Sequence, residues 1–222
     1  DLCSNPKDIC NKLAEKGLVS FLDRPIIPDL SEFAFNSKNK KIILNQAQNV
    51  ALEKMVSCMD TNKFNSILLH GVTGSGKTEI YIEAARHAIK INKTVIMLLP
   101  EISLTPQIAG RFRSAFGDDV ALWHSKLSQG ARAWTWKQIC GGKFKVVIGA
   151  RSAIFAPLKN VGLIVVDEEQ ESSYKQESPN PRYHARDVAL MRGKLDNASV
   201  VLASATPSME SYYNHLNGKY EY

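Results

Sequence analysis

The sequence predicts an α/β fold in which a parallel β-sheet is covered by helices on both faces. Short apolar runs recur along the chain without polar alternation, and segments with helical spacing separate them. Strands buried on both faces read as continuous Val, Ile and Leu runs, and intervening helices make successive strands parallel. Glycine-rich and acidic stretches directly follow two of these runs. This placement fits the same fold, because parallel sheets bind ligands at the carboxyl ends of their strands.

The elements follow one another regularly from residue 42. We expect helices over 45–59, 77–91, 104–116, 128–140 and 183–191. We expect strands over 66–70, 94–99, 120–123, 145–149, 162–166 and 199–203. The strand segments are short and rich in β-branched and other apolar residues, whereas the helix segments are longer and carry their apolar residues at helical spacing.

Residues 1–41 differ from the rest of the chain. A short helix ending at Gly17 and a strand over 18–22 are expected there. Residues 24–28 contain two prolines that break regular structure, and 37–41 are polar and basic, as in a linker. Because this stretch is too short for its own core, we expect the end of a preceding domain or an arm packed on the main one.

Composition narrows the class of protein. The 222 residues are 44% hydrophobic and 23% charged, which is ordinary for a soluble globular domain. No apolar run approaches the roughly 20 residues of a membrane span, and no signal peptide is evident, so we expect a cytoplasmic protein without membrane contact. The four cysteines form no C-x-x-C pair, which argues against a zinc site or a disulfide framework. The net charge of +6 permits nucleic-acid binding without requiring it.

A phosphate-binding loop is predicted at residues 71–78, GVTGSGKT, which follow a strand and open a helix. They match G-x-x-x-x-G-K-[ST] in full. The glycines let backbone amides turn toward phosphate oxygens, and the helix adds the positive end of its dipole. Lys77 is expected to reach the β- and γ-phosphates, and Thr78 to bind Mg²⁺. We therefore predict that ATP or ADP is bound by Gly71, Val72, Thr73, Gly74, Ser75, Gly76, Lys77 and Thr78.

The stretch IVVDEEQESSYKQ, residues 164–176, brings acidic residues to the end of a buried strand. Neighbouring carboxylates raise one another's pKa and cost stability unless something compensates them. In P-loop NTPases a second strand delivers an Asp to the Mg²⁺ ion. Asp167 is the candidate, with Glu168 as the base or water-positioning group, and Mg²⁺ and nucleotide would balance the acids. A solvated loop start is the simpler alternative.

Six motifs in sequence order give the chain a resemblance to superfamily 2 helicases. They are GVTGSGKTEIY, LLPEISLTPQ, VVIGARSAIFAP, VVDEEQESSYKQ, PRYHARDVA and LASATPSMES. Within that superfamily the chain resembles the bacterial replication-restart DNA helicases, the primosomal protein N′ family. The resemblance covers residues 42–222 and implies a RecA-like P-loop NTPase lobe. Residues 1–41 resemble more weakly the end of the winged-helix domain that precedes the motor in that family.

The resemblance implies roles for residues outside the phosphate loop. Gln48 matches the glutamine that recognises adenine, although an exposed helix glutamine is the alternative. Residues 100–101 and 105–107 match a motif that faces the DNA strand. Arg151 could contact a DNA phosphate or be an idle surface arginine.

The motif at Ser204 and Thr206 links the nucleotide site to DNA in the family. Its hydroxyls could instead cap a helix beginning near Pro207.

Residues 172–187 match the family's aromatic-rich loop, which couples DNA binding to hydrolysis. Aromatic rings can stack on bases and cations can hold phosphates, although a packed surface loop is the alternative. Pro181 stands where an aromatic residue is usual, so stacking is in doubt there. The DNA-coupling residues implied by the resemblance are Arg151, Tyr174, Lys175, Tyr183, Arg186, Ser204 and Thr206.

Gln170 departs from the family, which normally reads Asp-Glu-Glu-His at this motif. Either side chain can bridge the γ-phosphate side to the motif at Ser204 by hydrogen bonds, as glutamine does in superfamily 1 helicases. Glutamine cannot titrate, so any role of a protonated histidine is lost. The expected catalytic residues are Lys77, Asp167, Glu168 and Gln170.

The function implied by the resemblance is that of an ATP-dependent 3′→5′ DNA helicase that restarts stalled replication forks and initiates primosome assembly. Such a motor has two lobes, and the second supplies arginines worth on the order of 10³-fold or more in rate. The chain ends at Tyr222, so we expect a fragment that binds Mg-nucleotide weakly and hydrolyses little. The family's zinc-binding cysteines would lie beyond it.

The partners implied by the resemblance are forked and single-stranded DNA, single-strand-binding protein and primosome proteins. Three alternatives stay open at this point. They are another superfamily 2 DNA translocase, a P-loop phosphotransferase and a non-catalytic binding module.

Overall fold

The computed structural model of the chain describes residues 6–21, 43–100 and 106–222. Its strands are β1 (Asn65–His70), β2 (Thr94–Leu98), β3 (Val120–Trp123), β4 (Val146–Gly149), β5 (Val161–Asp167), β6 (Lys175–Gln176), β7 (Tyr183–His184) and β8 (Ser199–Ser204). Its α-helices are α1 (Pro6–Glu15), α2 (Gln46–Asp60), α3 (Lys77–Lys90), α4 (Pro106–Phe116), α5 (Gln129–Cys140), α6 (Ala185–Asp196) and α7 (Met209–Leu216). Short 3₁₀ turns cover Gly117–Asp119, Arg151–Phe155 and Ser172–Tyr174.

Within the described ranges, six strands form one parallel sheet in the order β1-β8-β5-β2-β4-β3. The strands β6 and β7 pair separately as a small antiparallel hairpin. No helix in the described part of the chain is long and apolar enough to cross a membrane.

The sheet is buried on both faces because each strand alternates its side chains between two apolar clusters. In β2, Val95 and Met97 join the cluster that includes residues of α2, α3 and α4. Ile96 and Leu98 join the cluster on the other face, with α5 and α6. All four side chains are fully buried. This alternation confirms the prediction of a parallel sheet covered on both sides.

Local sequence signals set the helix ends. Asn45 caps α2 in a capping box, with reciprocal hydrogen bonds to Gln48. Ser128 caps α5 by accepting from the amide of Ala131. Asn197, in the left-handed conformation at φ +52°, ends α6. These helices and the sheet strands lie close to the predicted spans, except that α6 begins later than expected and continues to Asp196.

Two expectations about secondary structure are wrong. Residues 18–21 do not form a strand, and Leu18 is 70% exposed, so this stretch buries no apolar face after α1. Leu22 and the segments 24–28 and 37–41 lie outside the described residues. Tyr183 is not helical, because it pairs with Gln176 across the β6–β7 hairpin.

The strand order positions the candidate site. Since β8 lies between β1 and β5, the segments that follow these three strands meet at one edge of the sheet. His70 is paired with Ser204, and Asp167 with Ala203. The carboxyl edge of the sheet therefore brings together the phosphate loop, the acidic motif and the motif at Ser204. Ligands of parallel α/β sheets bind at this edge.

Candidate active site

The loop between β1 and α3 has the backbone of an anion cradle. Gly74 and Gly76 have φ values of +78° and +82°, in the left-handed region that favours glycine. Gly76 caps α3 without any side-chain hydrogen bond. The first amides of α3 are thus free of a side-chain cap, and helix N-terminal amides bind phosphate well.

Lys77 holds its charge between the loop and the acidic motif. Its Nζ donates to the carbonyl oxygen of Gly71 over 2.7 Å and lies 3.6 Å from Oε1 of Glu168. The side chain is buried. A cation is therefore already placed at the mouth of the phosphate cradle.

Asp167 is fixed by Tyr81, a residue that the sequence reading did not single out. The Tyr81 hydroxyl donates to Oδ1 of Asp167 over 2.8 Å, and Tyr81 follows Thr78 by one turn of α3. Burial raises the pKa of Asp167, while the hydrogen bond from Tyr81 and the charge of Lys77 partly offset that rise. The carboxylate is thereby held beside the first turn of α3.

The oxygen donors here fit a magnesium ion. Thr78 and Asp167 offer a hydroxyl and a carboxylate, and Mg²⁺ prefers a few such oxygens together with phosphate oxygens and water. When bound, the ion would neutralise charge on the phosphates.

Glu168 adopts an unusual backbone conformation. Its φ is +47°, and non-glycine residues in this region are uncommon and cluster at functional sites. One carboxylate oxygen faces Lys77, and the other accepts from Nε2 of Gln170 over 3.1 Å. The conformation therefore aims the carboxylate across the nucleotide site.

Gln170 bridges Glu168 to the motif at Ser204, as expected from the sequence. The hydroxyl of Ser204 donates to Oε1 of Gln170 over 2.5 Å, and the same hydroxyl accepts from the amide of Thr206 over 2.8 Å. The alternative, in which Ser204 or Thr206 caps the following helix, is wrong. Ser208 caps α7 by accepting from the amide of Ser211.

Glu169 is balanced by a residue that the sequence reading placed elsewhere. Its side chain is fully buried and lies 3.1 Å from Nη1 of Arg186. It also accepts from the amide of Ser208 over 2.7 Å and from the hydroxyl of Ser211 over 2.9 Å. The expectation that Mg²⁺ and nucleotide balance all of the acids is therefore wrong for Glu169.

Arg186 is correspondingly unavailable as a free phosphate ligand. Its side chain is largely buried and bonds Glu169, Ser208 and Asp187. Burial lowers its pKa, but the hydrogen bonds to Glu169 and Asp187 and the negative charges of these residues together raise the pKa overall. The Arg186 guanidinium therefore does not face outward as a DNA phosphate ligand, and its predicted role in coupling DNA binding to hydrolysis stays a prediction.

Gln48 lies against the phosphate loop. Its Nε2 donates to the carbonyl oxygen of Ser75 over 2.7 Å, and a Cβ on Gly76 would lie 2.4 Å from that nitrogen. The alternative of an exposed, unengaged glutamine is thus wrong. Its recognition of adenine stays a prediction.

Tyr174 is part of the core and does not face solvent. The residue is 1% exposed, and its hydroxyl donates to the backbone oxygen of Asp167 over 2.7 Å. Burial raises its pKa well above the ordinary value. The prediction that Tyr174 stacks on a base is therefore wrong. Its hydrogen bond to Asp167 instead connects the aromatic-rich loop to the candidate nucleotide site.

The remaining loop residues surround Arg151. Its Nη1 donates to the carbonyl oxygens of Ser173 and Lys175 over 3.2 and 2.8 Å, and its guanidinium lies 5.9 Å from the Tyr183 ring centroid. Arg151 is thus not idle, because it ties the turn after β4 to the loop after β5. The ammonium of Lys175 is exposed and lies 3.5 Å from Glu177.

The motif expected to face DNA after β2 is only partly described. Residues 101–105 and the side chains of residues 106 and 107 lie outside the described residues. The other predicted site residues are all within the described ranges.

Comparison with known proteins agrees with this geometry. The sequence pattern of the DEAD/DEAH box helicases matches residues 45–214. The chain is 52% identical over 177 residues to the replication restart protein PriA of Chlamydia pneumoniae, covering 80% of this chain and 24% of that protein. It is 44% identical over 209 residues to PriA of Bacillus subtilis (strain 168), covering 94% and 26%. The chain thus spans about a quarter of the length of these curated relatives.

Solved structures share the fold. RecG bound to a three-way DNA junction is 24% identical, with a TM-score of 0.62, over 85% of this chain and 24% of that chain. The UvsW helicase of bacteriophage T4 is 14% identical, with a TM-score of 0.56, over 98% of this chain and 76% of that chain. Together with the parallel sheet, these likenesses confirm the predicted α/β RecA-like lobe.

Proposed function

The chain belongs to the DEAD/DEAH box helicase family, and from this premise we propose that it is the ATP-binding lobe of a replication-restart DNA helicase. In the whole protein, ATP hydrolysis drives 3′→5′ unwinding of DNA at stalled forks and supports primosome assembly. The similarity to the PriA proteins supports this assignment.

One observation carries the proposal: a continuous series of side-chain contacts crosses the carboxyl edge of the sheet. Lys77 contacts Glu168, Glu168 contacts Gln170, and Gln170 contacts Ser204. A phosphate cradle linked in this way to a motif outside the nucleotide site suits an enzyme that couples hydrolysis to movement on a polymer. A P-loop phosphotransferase has no need of the link.

The roles follow from the positions of the groups. The loop 71–76 and Lys77 hold the phosphates of ATP or ADP, and Thr78 and Asp167 hold Mg²⁺. Glu168 orients or deprotonates the attacking water, and Gln48 contacts adenine. Coupling between ATP hydrolysis and DNA binding passes through the hydrogen bonds of Gln170, Ser204 and Thr206. The aromatic-rich loop, which Tyr174 and Arg151 anchor, takes part in the same coupling.

The chain is one lobe of a larger motor in this proposal. Residues 42–222 form the nucleotide-binding lobe, and residues 1–41 form the end of a winged-helix domain and a linker. The arginines that complete the site come from a second lobe outside the chain, so the isolated lobe hydrolyses ATP slowly. Zinc in the whole protein is likewise bound outside this chain.

The proposed partners are forked and single-stranded DNA, single-strand-binding protein and other primosome proteins. Replication restart, which is the named role of the similar PriA proteins, requires contact with a fork. Two other candidates predict different behaviour. A translocase without unwinding activity would move on duplex DNA without displacing a strand, and a phosphotransferase would respond to a small acceptor.

The test is strand displacement and ATP turnover by the full-length protein on forked DNA. Lys77→Ala should abolish both, whereas Lys90→Ala, an exposed lysine of the same helix, should change neither. Turnover that responds to a small acceptor but not to DNA would contradict the proposal. DNA-stimulated turnover without strand displacement would instead favour a translocase.

A further inference from the structure

One segment of the chain contains basic residues but no acidic ones. Residues 120–166 contain seven Lys or Arg and no Asp or Glu, so this segment alone carries more positive charge than the net +6 of the whole chain. It spans β3, α5, β4, the turn after β4 and most of β5. The cations are Lys126, Arg132, Lys137, Lys143, Lys145, Arg151 and Lys159. The segment includes β3, which lies at the opposite end of the strand order from β1 and the phosphate loop.

An exposed tryptophan of α5 lies against the last residue of β3, close to one of these cations. Trp136 on α5 is 39% exposed, and its ring centroid lies 5.4 Å from that of Trp123, the last residue of β3. Arg132, one turn earlier on α5, places its guanidinium 5.8 Å from the Trp123 centroid. Trp123 itself is buried and donates from Nε1 to the hydroxyl of Ser152 over 3.2 Å. The exposed ring of Trp136 therefore packs at a tilt against the Trp123 ring, which burial and the hydrogen bond to Ser152 hold in place.

This arrangement continues into the residues already expected to face DNA. Ser152 follows Arg151, which lies over the ring of Tyr183. Tyr183 packs edge-on against Phe155 with a centroid distance of 5.1 Å, and Phe155 is 48% exposed. We call this row the aromatic–cation strip, and its members are Arg132, Trp136, Arg151, Phe155 and Tyr183.

We propose that the aromatic–cation strip binds single-stranded nucleic acid, with Trp136 stacking on a base and Arg132 holding a neighbouring phosphate. Exposed rings interleaved with cations are what single-strand binding uses, because every base has a stacking face and every linkage carries a negative charge. The lack of carboxylates between residues 120 and 166 favours a polyanion over a protein partner. The identification of this ligand as DNA rests on the proposed function.

The inference extends the DNA path beyond the family's motifs. It adds α5, a helix that also covers one face of the sheet. Trp134 on the same helix provides a contrast, since its ring is half-buried and packs edge-on against Phe144 at 6.4 Å. Of the two tryptophans of α5, Trp134 therefore packs against the core, whereas Trp136 is exposed at the surface.

The test titrates the 222-residue chain with a labelled oligo(dT) at low salt, following label anisotropy and tryptophan emission. Stacking on Trp136 should quench emission. Trp136→Phe should keep the affinity but lose most of the quenching, and Trp136→Ala should bind about tenfold more weakly. Arg132→Gln should reduce the slope of log affinity against log salt by about 0.7, the value for one phosphate on a single strand.

Two exposed residues away from the strip provide controls. Tyr213→Ala on α7 removes an aromatic ring that is 65% exposed, and Lys63→Ala removes an exposed cation; both variants should bind as the unaltered chain does. Equal binding by Trp136→Ala and the unaltered chain would overturn the inference, as would no binding of the oligonucleotide at all. If the chain showed either result but still bound Mg-ADP in a way that requires Lys77, only the role of the aromatic–cation strip in binding nucleic acid would be refuted. The proposed nucleotide-binding function would stand.

Discussion

The hydroxyl of Tyr81 and a carboxylate oxygen of Asp167 are 2.8 Å apart, with the hydroxyl donating. Tyr81 is fully buried, and burial together with the charge of Asp167 raises its pKa well above the ordinary value. It therefore stays protonated and remains a donor. Tyr174 donates to the backbone oxygen of the same residue. Two tyrosines from different elements thus fix the proposed magnesium ligand, one through its side chain and one through its main chain.

We predict that Tyr81→Phe raises the Mg²⁺ concentration needed for half-maximal nucleotide binding by about tenfold, as loss of an outer partner of a metal ligand does. Tyr174→Phe is the matched control, because it removes a hydrogen bond to the carbonyl and not to the carboxylate. It should lower stability by about 1 kcal/mol and leave the Mg²⁺ requirement nearly unchanged. Mg²⁺ titrations of nucleotide binding would separate them, and equal shifts in both variants would contradict the assignment.

Removing Arg186 should destabilise the fold strongly. Arg186→Ala leaves the charge of Glu169 buried without its partner, which costs about 3–5 kcal/mol in other proteins. Asp187→Asn alters an exposed contact of the same guanidinium and should cost less than about 1 kcal/mol. Urea unfolding of both variants measures the difference. Similar small losses would show that the buried pair contributes little.

Gln170→Ala should uncouple DNA binding from hydrolysis while leaving Mg-nucleotide binding intact. The reason is that the Gln170 amide joins Glu168 to Ser204. The measurement is ATP turnover by the full-length protein with and without DNA. Gln170→His, which restores the residue usual in the family, should retain DNA stimulation. Undiminished DNA stimulation in the alanine variant would refute this role.

His184 should make stability depend on pH. Burial lowers its pKa, and the nearby Arg186 lowers it further, while Asp187, Glu169 and Glu210 partly oppose these effects. Since the folded pKa lies below the unfolded value of about 6.5, stability is complete above that pH. It falls as the pH drops from there through the folded pKa.

His184→Asn is the variant that tests this pH dependence. Asparagine is a good N-cap and cannot titrate, so this variant should lose part of the fall in urea midpoint between neutral and mildly acidic pH. Identical pH profiles for the two proteins would rule out the contribution of His184.

The sequence was sufficient where local signals act alone. The phosphate loop, the strands and the cap at Asn45 follow from glycine placement, apolar runs and side-chain chemistry within a few residues. The motif around Gln170 predicts the hydrogen bonds that join it to Glu168 and Ser204, whereas its catalytic role stays a prediction.

The sequence was not sufficient where the partner is distant along the chain. The sequence predicts Glu169 as a nucleotide-site acid and Arg186 as a DNA contact. Only the fold shows that Arg186 of α6 and Ser211 of α7 both bond Glu169, just after β5, so that the arginine neutralises this acid. Tyr174 reads as a stacking residue until its burial is known. Helical spacing also could not show which tryptophan of α5 faces outward, because both faces of that helix carry one.

The most direct test of the central claim is nucleotide binding and steady-state ATP hydrolysis by the 222-residue chain, with and without forked DNA. The variants Lys77→Ala and Lys90→Ala accompany it. We predict Mg-ADP binding that requires Lys77 but not Lys90, with almost no turnover, because in the proposed motor a second lobe supplies the arginines that complete the site. DNA-stimulated turnover that Lys77→Ala abolishes would contradict this account, since the completing arginines would then come from the chain itself or from a second copy of it.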